Sequence, residues 1–278
     1  MSSSFSMQRL SYRFAEFTRH HWASAEARAI WEQRISRVSA CIAELEWRSI
    51  LEGVRSCALR PVAPQEFQVL SSMLARHGLT VVPLDKIAAE FGYASARRVP
   101  REGQPFHYWC AMGRPSDVQL IESEHSSNNT EALGSFLGYP LCCTKFYDTV
   151  WIQNRFMDTT WPMAQNTAEK RAITAAHVEI PAVSKCNILL RWLGIRIIFH
   201  LPCSFDCLPT VELAGKMIDI AKAAGFHREM DWLNEMLSWP VQWSALYGLG
   251  DIATPVGTTF TATDVTTTRY QVTYKGAG

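Results

Sequence analysis

Half of the chain's eight cysteines stand in two short stretches, Gly138-Tyr139-Pro140-Leu141-Cys142-Cys143 and His200-Leu201-Pro202-Cys203-Ser204-Phe205-Asp206-Cys207. Together they offer four thiolate sulfurs and one imidazole, the donors that hold zinc, iron or an iron-sulfur cluster. In each stretch a proline leads into cysteines at the start of a predicted helix, where unpaired amide N–H groups and the helix dipole favour ionised sulfur. Neighbouring cysteines point in different directions, so Cys143 is expected as the primary ligand of its pair and Cys142 as an auxiliary one.

The spacing bears on which metal is held. Structural zinc usually takes Cys-x-x-Cys knuckles, whereas here one pair is adjacent and the other is separated by Ser204, Phe205 and Asp206. A redox disulfide favours two intervening residues, and a bridge between neighbours is strained. An iron-sulfur cluster needs only thiolates converging from separate loops. The expectation is therefore a 4Fe-4S cluster on Cys143, Cys203 and Cys207, with its fourth iron open to substrate or held by Cys142 or His200. Zinc and non-haem iron are the alternative metals. An open iron is a Lewis acid, which suits a lyase or sulfur-transfer enzyme acting on a small carboxylate-bearing metabolite, served by a cluster-delivery or redox partner. His200 and Asp206 are the candidate proton carriers; Arg114, His107 and Ser204 are the candidate substrate-binding residues. The plain alternative for His200 is a packed histidine. The Cys-x-x-x-Cys spacing also opens the radical SAM motif, but Thr210 stands where that motif requires its third cysteine, so that family is rejected. Two rivals come from other classes: a zinc-stabilised structural or interaction module, and an iron oxygenase built on His107, Glu122, His125 and His200.

The combination Gly-Tyr-Pro-x-Cys-Cys and His-x-Pro-Cys-x-x-x-Cys, with His107-Tyr108-Trp109 upstream, resembles a bacterial and archaeal family of unknown function. The resemblance covers roughly Phe106 to Ala221. It implies that these residues work together and carries no reaction to transfer.

Composition narrows the partners. Lys and Arg total 27 against 26 Asp and Glu, a net charge of +1, so no nucleic acid is expected. The most apolar stretch, Ile188 to Leu201, is broken by Arg191 and Arg196 and is too short to span a bilayer. The first residues lack an apolar signal core, and a cytoplasmic location is expected. In a reducing compartment cysteines are ligands, catalysts or buried thiols. Cys41 and Cys57 fall in helical apolar rows and read as core, as does Cys186 before Ile188-Leu189-Leu190; Cys110 is undecided.

The elements that position these residues read as α+β: a helix-rich N-terminal part, a short mixed sheet and a threonine-rich β C-terminal segment. The expected division is a helical N-terminal segment 1–62, a cysteine-motif core 63–239 and a β-rich segment 240–278 packed on the core. Phe14, Phe17, Ala23, Ala27, Ile30, Trp31 and Ile35 recur at helical steps, which puts His20 and His21 about 100° apart on a helix. Helices are predicted over Pro64–Leu74, Ile87–Tyr93, Asp117–Glu124, Glu131–Leu137 and His227–Trp239, with two more following the cysteine stretches, the first running past Phe156. Strands are predicted over Leu79–Val82, Phe106–Met112, Ile195–Phe199, Val241–Tyr247, Asp251–Thr254, Thr258–Thr263 and Thr267–Tyr274. Asp206 is the predicted N-cap of the helix after the second stretch. Arg97, Arg98 and Arg101 read as a solvated loop. Asn128 belongs to a polar linker, and Asn154 and Arg155 to a segment with the character of a substrate loop.

Overall fold

The computed structural model describes residues 18–89, 99–127, 129–153, 158–167, 173–181, 183–263 and 268–276. Phe14, Phe17, Tyr93, Arg97, Arg98, Asn128, Asn154, Arg155, Phe156 and Thr267 lie outside these ranges. The fold is α+β, with two sheets joined by one long helix.

The smaller sheet is antiparallel, ordered β2-β4-β3, from β2 (Cys57–Val62), β3 (Thr80–Ala88) and β4 (Phe106–Gly113). Alternation along the strands divides its side chains between two layers. Ala58, Val62, Val81, Cys110 and Met112 pack with Leu74 of helix α2 (Pro64–Ala75). On the opposite face, Cys57 and Ala111 pack with Val118 and Ile121 of α3 (Pro115–Ser126) and with Leu137.

The larger sheet is ordered β1-β8-β7-β6-β9-β5. Its strands are β1 (Thr18–Trp22), β5 (His177–Ile180), β6 (Val241–Leu246), β7 (Leu249–Thr254), β8 (Gly257–Ala262) and β9 (Tyr270–Tyr274). Only β5 and β9 pair in parallel, which makes the sheet mixed. Its core side chains, among them Trp243, Ile252, Val272 and Tyr274, pack in one cluster with residues of α7 (Leu208–Ala223) and α8 (His227–Leu237). Helix α1 (Ala25–Leu51) serves both layers: Val38, Cys41, Ile42 and Leu45 enter the large core, while Trp47 and Ile50 enter the core of the small sheet.

Several local expectations are overturned by tertiary pairing. His20 and His21 lie on strand β1, where a helix is predicted, because β8 offers a free edge to Thr18–Trp22. His20 Nδ1 meets Thr259 Oγ1 at 3.0 Å and the His21 ring stands 5.6 Å from Phe260. Cys57 is buried on a strand and not on a helix. Ile87 and Ala88 complete β3. Ile195–Phe199 forms no strand: it follows a turn closed by Gly194 (φ 75°), and Ile195, Ile197 and Ile198 are all buried without the alternation of a sheet residue. Its β-branched composition reflects burial, not pairing.

Two further helices lead to the cysteines: α4 (Thr130–Phe136) and α5 (Leu141–Tyr147), the latter passing into a wider-wound turn over Asp148–Gln153. The two helices touch at Gly134, where an added Cβ would stand 2.5 Å from Thr144 Oγ1 and 2.8 Å from its Cγ2. Since Thr144 follows Cys143, this contact sets where the first cysteine pair lies. Gly134→Ala should push α5 outward, destabilising the protein by about 1–3 kcal/mol in chemical denaturation.

Candidate metal centre

Two loop constructions bring the cysteines together. Helix α4 ends at Gly138 in the left-handed conformation (φ 69°), with Tyr139 N–H bonded to Gly134 O at 2.8 Å and Gly138 N–H to Ser135 O at 3.0 Å. This glycine-closed helix end reverses the chain. A Cβ at Gly138 would also meet Val54 O at 2.8 Å. Pro140 then starts α5, which places Cys142 and Cys143 in its first turn.

The second loop is held from three sides. Tyr139 OH donates to Phe199 O at 3.1 Å, Asn166 Nδ2 donates to Cys203 O at 2.9 Å, and Phe205 N–H donates to Thr167 Oγ1 at 2.7 Å. Asn166 and Thr167 belong to α6 (Thr160–Thr167), and the fully buried Phe205 ring anchors the loop below. Cys207, not Asp206, is the N-cap of α7, so Thr210 falls in the first turn and its hydroxyl faces back toward the sulfurs.

The ligand atoms of Cys142, Cys143, Cys203 and Cys207 all lie within 4.8 Å of one another. The Sγ separations are 3.8 Å for Cys142–Cys143, 3.7 Å for Cys142–Cys207 and 3.6 Å for Cys143–Cys207. The backbone N–H of Cys203 points at Cys143 Sγ at 3.4 Å. Thr210 Oγ1 donates to Cys207 Sγ at 3.3 Å and lies 3.4 Å from Cys143 Sγ. Among the described residues this is the group of three or more His, Cys, Asp or Glu side chains able to hold a metal ion. Cys142 is exposed, Cys203 half-buried, and Cys143 and Cys207 buried.

Four thiols this close cannot all ionise without a cation between them. Hydrogen bonds from the Cys143 and Cys203 thiols, with Thr210 adding to them, hold Cys207 far below the ordinary thiol range. The hydrogen bonds to Cys203 and Cys207 drive Cys143 in the opposite direction, reinforced by burial. Cys203 rises to about 12: the downward pull of its bond with Cys143 is outweighed by its bond to Cys207 and by burial. A bound cation would take the place of thiol protons in this group.

His200 stands one step behind the sulfurs. Its Nε2 lies 2.9 Å from Thr210 Oγ1. Because that hydroxyl gives its proton to Cys207, the imidazole donates from Nε2 and keeps Nδ1 as an acceptor, which is buried without a hydrogen-bond partner. Burial, partly opposed by Cys207, takes its pKa down to about 3, so it is neutral. The other expected residues lie as follows. Ser204 Oγ donates to Asp206 Oδ1 at 2.6 Å within the loop, and Asp206 is exposed. Arg114 is exposed at the start of α3, and His107 lies on β4 opposite Ile87, near a surface cleft lined by Pro64, Gln104 and Phe106. His107, Glu122, His125 and His200 are not brought together as an iron site, and His125 Nε2 lies 3.4 Å from Asp85 Oδ2.

Two members of the site exceed the sequence reading. Thr210 was visible only as the residue standing where a third cysteine would be, three positions after Cys207. Cys186, read as core, is indeed buried, with burial raising its pKa to about 12, but it lies beside the group and its Sγ donates to Cys207 O at 3.5 Å. No spacing marks it. Cys41, Cys57 and Cys110 are buried elsewhere, and burial raises them to about 12, 12 and 11.

No family model, curated protein or solved structure matches this chain, so the reading of the site rests on its own geometry. Thr210 gives the sharpest handle on that geometry. Thr210→Val keeps shape but removes the hydroxyl that reaches two sulfurs, and metal affinity should fall about 10–100-fold in chelator competition, as for loss of an outer-shell hydrogen bond.

Proposed function

We propose that this protein is a zinc protein in which Cys142, Cys143, Cys203 and Cys207 form a mononuclear four-thiolate centre that ties the start of α5 to the start of α7. The observation that carries this reading is the sulfur spacing. A tetrahedron with metal–sulfur bonds of about 2.3 Å has edges of about 3.8 Å; the separations among Cys142, Cys143 and Cys207 are 3.8, 3.7 and 3.6 Å, and Cys203 lies within 4.8 Å of each. In an iron-sulfur cube each thiolate binds a different iron on the outside of the cluster, which requires the sulfurs to stand farther apart. The 4Fe-4S enzyme expected from residue spacing is therefore the weaker reading.

Four protein thiolates fill a tetrahedral ion, so the centre is structural: a staple that joins segments about 60 positions apart in a chain whose loops here lack regular pairing. The amide of Cys203 and the hydroxyl of Thr210 would share the charge on the sulfurs, and His200 would orient that hydroxyl. On this reading the two cysteine stretches are a ligand signature, and the protein works as a zinc-stabilised module in a reducing compartment. If they mark a family, the signature describes its ligand set.

Anaerobic purification followed by metal analysis and visible spectroscopy tests the proposal. Colourless protein with one zinc per chain is the expected result; brown protein with iron and acid-labile sulfide would replace this reading with the cluster. Cys143→Ser, Cys203→Ser and Cys207→Ser should each lose stoichiometric zinc, whereas Cys186→Ala should retain it. Chelation of the ion should lower the melting temperature of the wild-type protein and leave that of the already metal-free serine variants unchanged.

A further inference from the structure

Arg55 is 4 % exposed, and its Nε donates to Leu137 O at 2.9 Å. Its Cζ lies 4.8 Å from the Phe199 ring centroid and 5.9 Å from that of Tyr139. Its Nη1 is buried without a hydrogen-bond partner. Arg196 approaches the same Phe199 ring, with Cζ at 6.0 Å. Among the described residues neither arginine forms an ion pair. The acid that acts on both is Glu46, and Glu46 already pairs with Arg60 at 3.2 Å. Three guanidinium groups thus share one carboxylate: Arg55 is buried, while Arg60, Arg196 and Glu46 are half-buried. A buried guanidinium with an unpartnered nitrogen is costly, so an anion near Arg55 stabilises it.

The neighbourhood leaves few candidates. Tyr139 is neutral, since burial raises its phenol. Asp158 is engaged by Arg191 at 3.5 Å and by Thr263. On the other side of Tyr139 and His200, whose rings are 5.1 Å apart, lie the four cysteines. The path from the arginines runs through Phe199 and Tyr139 to His200, then 2.9 Å to Thr210 and 3.3 Å to Cys207 Sγ. The one imidazole feels Cys207 on one flank and Arg55 and Arg196 on the other. A divalent ion on four thiolates would carry an excess of two negative charges, opposite in sign to the two arginines.

We infer that Arg55 and Arg196 are the built-in counter-charge of the four-thiolate centre and act as electrostatic positioning residues that raise its affinity for a divalent ion. The inference rests on the metal reading above. It extends the centre beyond its ligands to side chains around Phe199 and Tyr139. Charge acts here across two aromatic rings, with no direct bond to sulfur.

The test is zinc affinity, measured on the full chain by competition with a chromophoric chelator. Arg55→Met and Arg196→Met should each weaken zinc binding by about three- to tenfold, the scale of one unit charge acting through a partly solvent-screened site. Glu46→Gln should strengthen it, because it removes the one opposing charge, and Arg196→Lys should restore wild-type affinity. The opposite signs separate electrostatics from damage to the fold, which would weaken all variants together. Affinities within twofold of wild type, or a change of the same sign in the arginine and glutamine variants, would overturn the inference. So would inorganic phosphate raising the melting temperature of wild type but not of Arg196→Met at unchanged zinc affinity, since a free oxyanion would then be the partner. A wild-type chain that binds no zinc would remove the metal reading itself, a distinct result.

Discussion

The structure around the cysteines depends on one constraint: four sulfurs from two distant segments are held within 4.8 Å of one another. Sulfhydryl groups at that distance compete for protons, and they cannot all ionise while no cation lies between them. A divalent ion removes the competition by taking the place of the protons, which turns a frustrated group into a cross-link. The segments involved have little else of their own. The stretch from Gly194 to Cys207 contains no helix or strand and is fixed by side-chain bonds from Tyr139, Asn166 and Thr167. A loop of this kind loses conformational entropy without the repayment of a ladder, and a metal tie would offset that cost.

The two sheets meet the centre from different sides. Helix α1 spans both cores, so the small sheet, with α3 and α4 above it, is held rigidly against the larger one. The close approach of α4 and α5 at Gly134 and the reversal at Gly138 pass that placement on to the first cysteine pair. The second pair takes its position from α7, which is packed into the large core through Leu213, Ala214 and Met217. The four sulfurs therefore lie where the two packed layers come together.

Chemistry and geometry were unequally legible in the residues. Proline before each cysteine pair and the apolar rows behind them announce two helix starts bearing thiols, and the structure has both. The identity of the metal was not legible, because spacing along the chain says little about spacing between sulfurs. Thr210 illustrates the difficulty: its value lies in a hydroxyl aimed at two sulfurs, and the alphabet of ligand residues does not include it. Cys186 reaches the group through a separate turn, so its sequence neighbourhood reads only as core. The expected proton carrier Asp206 is occupied by Ser204 at the surface of the loop.

By itself the sequence determined the donor types, the two helix starts, the mixed α+β class and the threonine-rich strands that close the larger sheet. These follow from local rules: side-chain chemistry, periodicity and turn residues, each written within a few positions. Only the tertiary structure decided that Thr18–Trp22 becomes a strand, that the apolar run Ile195–Phe199 does not, and that four sulfurs share one point. Each of those outcomes depends on a partner far away in the chain, such as the open edge of β8 or the sulfur of Cys143 opposite Cys207. No local propensity encodes such a partner.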